Sequence, residues 1–215
     1  MKFFGENISC VRGERLVFRG LNFAVEPGGA LVLTGNNGSG KTSLLRVMAG
    51  LNRATVGKIA WSDGPISDDP EKHHGRLHFI GHLDAQKPVL SVGENLEMWA
   101  RLHGGTDEKI AMAIKKLKLD GFEDLPGRYL SAGQRRRLSL ARLVASEAPL
   151  WILDEPTIAL DEGSVAAVRA LISEHRDAGG MAVIATNVEL GLSDTTKLDM
   201  RDYAAGQDDI WEGVS

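Results

Sequence analysis

The chain has 215 residues, 43% of them hydrophobic and 25% charged, which is enough for one α/β domain with a buried core. A formal net charge of −4 supplies no basic face for nucleic acid, so no nucleic-acid partner is expected; the single cysteine, Cys10, excludes an internal disulfide framework and fits a reducing compartment. The opening MKFFGENISC carries Glu6 and Asn7 where a secretory signal needs an apolar core, and no run approaches the ~20 apolar residues of a membrane span, so the expectation is a cytosolic chain able to dock on a membrane protein.

Near the start, Leu21, Phe23 and Val25 alternate with Asn22 and Ala24, the period of a half-buried strand, and the turn signal EPGG ends it. ALVLTG (30–35) is a continuous apolar run, as in a central strand covered on both faces. KTSLLRVMAG then takes helical spacing to Gly50. GKIAW (57–61) and LHFIG (77–81) read as strands, and DGPISDDPEKHHG between them as a polar loop whose His73 and His74 are loop or surface residues. Ser91 and Glu94 form a capping box before ENLEMWARLH, Thr106 opens a helix to about Lys118, and Ser131 opens a third. PLWILD returns to a buried strand, Asp161 to Ala178 is a helix closed by Gly179 and Gly180, and MAVIAT is a strand running out at Thr186 and Asn187. The division expected is a core of 1–82 and 149–193, a helical subdomain of 83–148, and a polar, acid-leaning tail of 194–215.

Three stretches carry chemistry. GNNGSGKT (35–42) matches the phosphate-loop pattern: Gly35, Gly38 and Gly40 let the backbone N–H groups around Asn36, Asn37 and Ser39 converge on phosphate oxygens at a helix N-terminus. Lys41 would reach the β- and γ-phosphates, the Thr42 hydroxyl would ligate Mg²⁺, and Ser43 continues the helix beside them. LWILDEP ends a strand in two carboxylates. Alone this reads as a strand meeting solvent; beside a phosphate loop it places Asp154 on Mg²⁺ and Glu155 as the base that polarises water. In LSAGQRRRLSLARL, Ser131 at a helix start, Gly133 and Gln134 make a second anion site, and Arg135, Arg136 and Arg137 read as a solvated helix face.

In this order, the phosphate loop, LSAGQ, LDEPTIALD and a polar residue after a last strand resemble the ATP-binding cassette (ABC) ATPases, over residues 3–190. The resemblance implies a P-loop NTPase core with a mostly parallel sheet, an N-terminal antiparallel β part and a helical subdomain. It also implies ATP and Mg²⁺, held in a head-to-tail homodimer between one chain's GNNGSGKT and the other's LSAGQ, with Asp161 crossing the interface. Within the family, CVRGERLVF, FIGHLDAQKPVLSVGENLEMWARLHG and LSAGQRRRLSLARL are similar to the haem-exporter ATPases of cytochrome c maturation. That likeness implies an integral membrane permease subunit and haem-handling proteins as partners, and a peripheral place on the cytoplasmic face of the inner membrane.

The chain departs from the family pattern at three positions. Val11 and Arg12 stand where an adenine-stacking aromatic is usual, leaving Arg12 to stack through its guanidinium plane. His82 replaces a glutamine and would act through water, with Gln86 a weaker substitute. Asn187 replaces a switch histidine: it donates a hydrogen bond but is shorter and does not titrate. Two other readings stay open, a nucleotide-gated binding subunit with negligible hydrolysis and an ABC subunit for another substrate. DAQKPVL, with Val89 and Leu90, reads as an exposed apolar patch bordering the partner surface, unless Leu90 and Val92 tuck into the core.

Overall fold

The structure, a computed structural model, describes residues 1–204. Strands β1 (Phe3–Arg12) and β2 (Arg15–Val25) form an antiparallel hairpin that turns at Gly13, where φ is 61°. The alternation read at 21–25 is its second arm, with Leu21, Phe23 and Val25 buried and Asn22 and Ala24 exposed. β4 (Val56–Trp61) and the short β5 (Gly64–Pro65) complete a four-stranded sheet in the order β2-β1-β4-β5.

The second sheet is parallel throughout. Its order is β6-β7-β8-β3-β9, from β3 (Ala30–Thr34), β6 (Leu77–Ile80), β7 (Leu150–Asp154), β8 (Met181–Ala185) and β9 (Thr195–Asp199). Every residue of β7 and β8 is buried because alternate side chains serve two cores. Leu33, Ile152 and Val183 pack with the antiparallel sheet and α1 (Lys41–Met48) on one side. Leu153 and Ile184 pack on the other with α3 (Val92–Leu102), α5 (Ala132–Ala145) and α6 (Glu162–Asp177), and α4 (Asp107–Lys116) adds Ala113 there. Ser91 and Ser131 each close a capping box, and Thr106 and Asp161 cap α4 and α6. Among the described residues no helix is long and apolar enough to cross a membrane.

Three sequence expectations need correcting. The tail contains β9, which pairs with the free edge of β3 from Ala30↔Thr195 to Thr34↔Asp199. TTKLD carries one buried apolar residue, Leu198, and an edge strand needs no more, since backbone hydrogen bonds define it. Met200 follows, fully buried behind the phosphate loop; residues 205–215 of the expected tail lie outside the described residues. The polar loop at 63–75 holds β5 and the short helix α2 (Pro70–His74), capped by Asp69. His73 is not a surface residue: it is buried, its Nδ1 accepts from Trp61 Nε1 at 3.0 Å and its Nε2 donates to Met48 O at 3.0 Å.

Burial pushes His73 and His78 down from 6.5 to about 4 each, the His78 ring also lying edge-on to His103 at 4.8 Å. The unfolded chain therefore takes up protons between pH 6.5 and about 4 that the fold refuses, so this stability is complete above pH 6.5 and is lost on acidification. The thermal midpoint should fall from pH 7 to 4.5, and His78→Gln, which does not titrate, should flatten part of that fall. A slope identical in the variant would mean His78 is protonated as readily folded as unfolded.

Candidate functional site

Four parallel strands end on one edge, and a polar segment leaves each of them there. β3 enters residues 35–40, β7 ends at Asp154 before Glu155, β8 leads to Thr186 and Asn187, and β6 to Gly81 and His82. The register sets these ends level, since Asp154 pairs with Ala185 and Ala185 with Leu33. The cleft between them has a volume of about 790 Å³. Residues 37–43, His82, Asp154, Glu155 and Asn187 line it, and Arg15, Leu16 and Val17 of β2 form one wall.

The phosphate loop is wound by its glycines. Gly35, Gly38 and Gly40 have φ of 131°, 83° and 96°, and Gly40 caps α1. A Cβ on Gly40 would lie 2.8 Å from Val17 Cγ1, and one on Gly35 2.8 Å from Ser39 Oγ. The first turn of α1 carries no acidic residue, which leaves its N–H groups and dipole to an anion. Ser39 Oγ is buried without a hydrogen-bond partner among the described residues, as suits a phosphate oxygen beside it.

Lys41, largely buried, donates from Nζ to Gly35 O at 2.6 Å, Asn36 O at 3.2 Å and Asn187 Oδ1 at 3.0 Å. Asn187 Nδ2 in turn donates to Asn37 Oδ1 at 3.0 Å. Asn187, two residues past β8, thus binds both the loop and its lysine. Thr42 Oγ1 donates to Asp154 Oδ2 at 2.8 Å, which places two hard oxygen donors side by side, a set that fits Mg²⁺. Asp154 is buried, and Glu155 follows at φ 47°, a left-handed conformation that costs a non-glycine residue roughly 1–3 kcal/mol and persists only where its surroundings hold it. Its backbone N–H donates to Ala185 O at 2.8 Å.

The arginines of LSAGQRRR are not a solvated face. Arg135 Nη1 donates to Leu130 O at 2.6 Å, and Arg137 Nη1 to Lys118 O at 2.6 Å. Arg136, 2% exposed, donates to four carbonyls: Gly81 at 2.8 Å, Asp154 at 2.7 Å, Glu155 at 2.9 Å and Pro156 at 3.3 Å. Sequence reasoning missed it because net charge says nothing about which face a side chain takes. The helical stripe Arg136, Leu140, Leu143, spaced i, i+4, i+7, was the available signal.

Other expected site residues lie elsewhere. Ser131 Oγ accepts from Gln134 N at 3.2 Å and Gln134 Oε1 from Ser131 N at 2.8 Å, so this pair caps the exposed start of α5; neither it nor Gly133 lines the cleft. Asp161 Oδ1 accepts from Ser164 N at 2.7 Å, capping α6. Arg12, expected to stack on adenine, is exposed at the end of β1 and outside the cleft lining; the hairpin turn brings Arg15, Leu16 and Val17 there instead. Gln86 is also outside the lining, its Oε1 buried without a partner among the described residues.

A second groove, of about 390 Å³, shares Thr42, His82 and Asp154 with the cleft and continues past Leu51, Phe79, Leu83, Trp99 and Arg142. The Arg142 guanidinium sits 3.6 Å over the Trp99 ring, and burial lowers its pKa to about 10. Leu83 and Val89 are 82% and 73% exposed, Leu90 is half-buried and Val92 is in the core.

Comparison with known proteins agrees with this geometry. Residues 18–158 match the ABC transporter family model. The chain is 50% identical over 202 residues to the cytochrome c biogenesis ATP-binding export protein CcmA of Rhodospirillum rubrum, covering 94% of this chain and 87% of that one. A putative ABC transporter ATP-binding protein from Pyrococcus furiosus superposes with a TM-score of 0.84 at 25% identity, over 95% of this chain and 100% of the other. An ATP-binding cassette solved as a dimer in a post-hydrolysis state with ADP and phosphate has a TM-score of 0.77 at 23% identity, over 86% and 88% of the two chains, and supports the fold alone. The chain belongs to the ABC transporter family as one of its ATP-hydrolysing cassettes, similar to the cytochrome c biogenesis ATP-binding export proteins.

Proposed function

We propose that this ATPase pairs head-to-tail on ATP and powers an integral membrane permease subunit in haem export, or release of a haem-loaded chaperone, during c-type cytochrome maturation. It would do so as a peripheral subunit on the cytoplasmic face of the inner membrane. The observation that carries the dimer is the separation of Ser131, Gly133 and Gln134 from the cleft of their own chain: an exposed, capped helix start with nothing of its own to bind suits a second copy's nucleotide. The 50% identity to a cytochrome c biogenesis protein supports the process.

In this reading the loop N–H groups and Lys41 hold the β- and γ-phosphates, and Thr42 and Asp154 hold Mg²⁺. When bound, Mg²⁺ neutralises charge on the phosphate oxygens. Glu155 orients the attacking water and takes its proton. His82 and Asn187 stand where γ-phosphate contacts would form. Asn187 favours one alternative, a nucleotide-gated subunit with little turnover, because its amide cannot accept and release a proton.

The apolar groove beside His82 is the proposed seat of the membrane partner. Leu83→Asp, in the groove lining, with Val89→Asp, in the exposed patch that follows it in the chain, tests it, since both side chains are exposed. Purified from membranes, the native chain should bring an integral membrane subunit with it and the double variant should not, while both bind ATP alike. Retained association in the variant would remove the groove from the interface, and a native chain without a membrane partner would remove the transport reading.

A further inference from the structure

Arg136 has more bonds than a core arginine needs. Its guanidinium is 2% exposed and spends its donors on backbone carbonyls of two segments that leave the neighbouring strands β6 and β7 at the cleft. One is the end of β7, through Asp154 O at 2.7 Å, Glu155 O at 2.9 Å and Pro156 O at 3.3 Å; the other is Gly81 O at 2.8 Å, the carbonyl directly before His82. The Asp84 carboxylate lies 3.5 Å from Nη1, and Ser139, one turn further along α5, donates to Asp84 O at 2.6 Å. The same helix therefore grips the His82 loop by two hydrogen bonds and an ion pair, and the Asp154–Pro156 segment by three hydrogen bonds.

Glu155 is the residue in this segment with a backbone that needs holding. Its φ of 47° places it outside the strand conformation, and the restraints on it are its own N–H to Ala185 O, the Ile158 N–H donated to its carbonyl at 3.2 Å, and the Arg136 bonds to the carbonyls of 154, 155 and 156. Only a planar guanidinium presents five donors in a fixed fork. The helix that carries it begins at Ser131, which the proposed dimer sets against the other copy's nucleotide.

We propose that Arg136 is a positioning residue for hydrolysis. It holds Glu155 and the His82 loop in one fixed relation and carries the position of the LSAGQ helix into the cleft of its own chain. This rests on the reading of Glu155 as the base. Arg136 touches no substrate and moves no proton; its effect is on where the base stands. Displacing a reacting group by about 1 Å costs up to roughly 100-fold in rate.

The test is single-turnover hydrolysis of saturating Mg-ATP by the full chain, with ATP affinity and thermal midpoint measured beside it, for Arg136→Lys, Arg136→Gln and, as reference, Glu155→Gln. Lys keeps the charge but not the fork; Gln keeps a planar amide with two donors. The expected result is a rate reduced roughly 10- to 100-fold in Arg136→Lys with ATP affinity within about threefold of native, and at least as large a reduction in Arg136→Gln, whose amide nitrogen reaches only as far as the arginine Nε and so misses the carbonyls held by the two Nη atoms. Turnover at the native rate in both folded variants overturns the proposal. So does a parallel loss of rate, affinity and midpoint in both, which is what a merely structural arginine would give. If Glu155→Gln itself turns over normally, the reading of the base fails instead, and the two failures are told apart in one series.

Discussion

Glu155→Gln should leave ATP binding intact and reduce turnover roughly 10²–10⁴-fold, the usual loss when a general base is removed. The side chain sits in the cleft lining directly after Asp154, on a backbone held by Ala185 O and by Arg136. Glutamine keeps its shape and its bonds to the peptide, so geometry is preserved while the acceptor of the proton is lost. The residues proposed to bind nucleotide and its metal are others: the loop N–H groups, Lys41, and the Thr42–Asp154 pair. Affinity and rate should separate cleanly, and the variant should accumulate as an ATP-bound dimer visible by light scattering. Turnover within a few-fold of native would show that another group activates the water.

Lys41→Ala should act on the other side of that division, weakening ATP binding roughly 10- to 100-fold. A hydrogen bond from a charged group contributes about 1.5–3 kcal/mol, and 1.4 kcal/mol is tenfold. The ammonium is held by Gly35 O, Asn36 O and Asn187 Oδ1, so its position at the mouth of the loop is set before any phosphate arrives. Without it the loop keeps its glycine geometry and its N–H groups but loses its one fixed positive charge, and Asn187 loses its anchor. Equilibrium titration with a fluorescent ATP analogue measures the change. An affinity within threefold of native would assign phosphate binding to the backbone alone.

The parts of this protein that were legible in its sequence are those whose chemistry is local. GNNGSGKT specifies its own loop, because three glycines with positive φ and a helix start are properties of eight consecutive residues. The capping boxes at Ser91 and Ser131, the buried runs of β7 and β8 and the carboxylates that end LWILDEP are local in the same sense. What only the tertiary structure decided depends on which segments meet. β9 exists because β3 has a free edge to offer TTKLD, not because that segment is apolar. Arg12 and Arg15 are three residues apart, yet only Arg15 reaches the cleft, because a hairpin turn lies between them. Arg136 reads as one charge among three until α5 is packed against the ends of β6 and β7. There its guanidinium meets four carbonyls at or just past the ends of those strands, where the ladder no longer supplies donors and one must come from elsewhere in the chain.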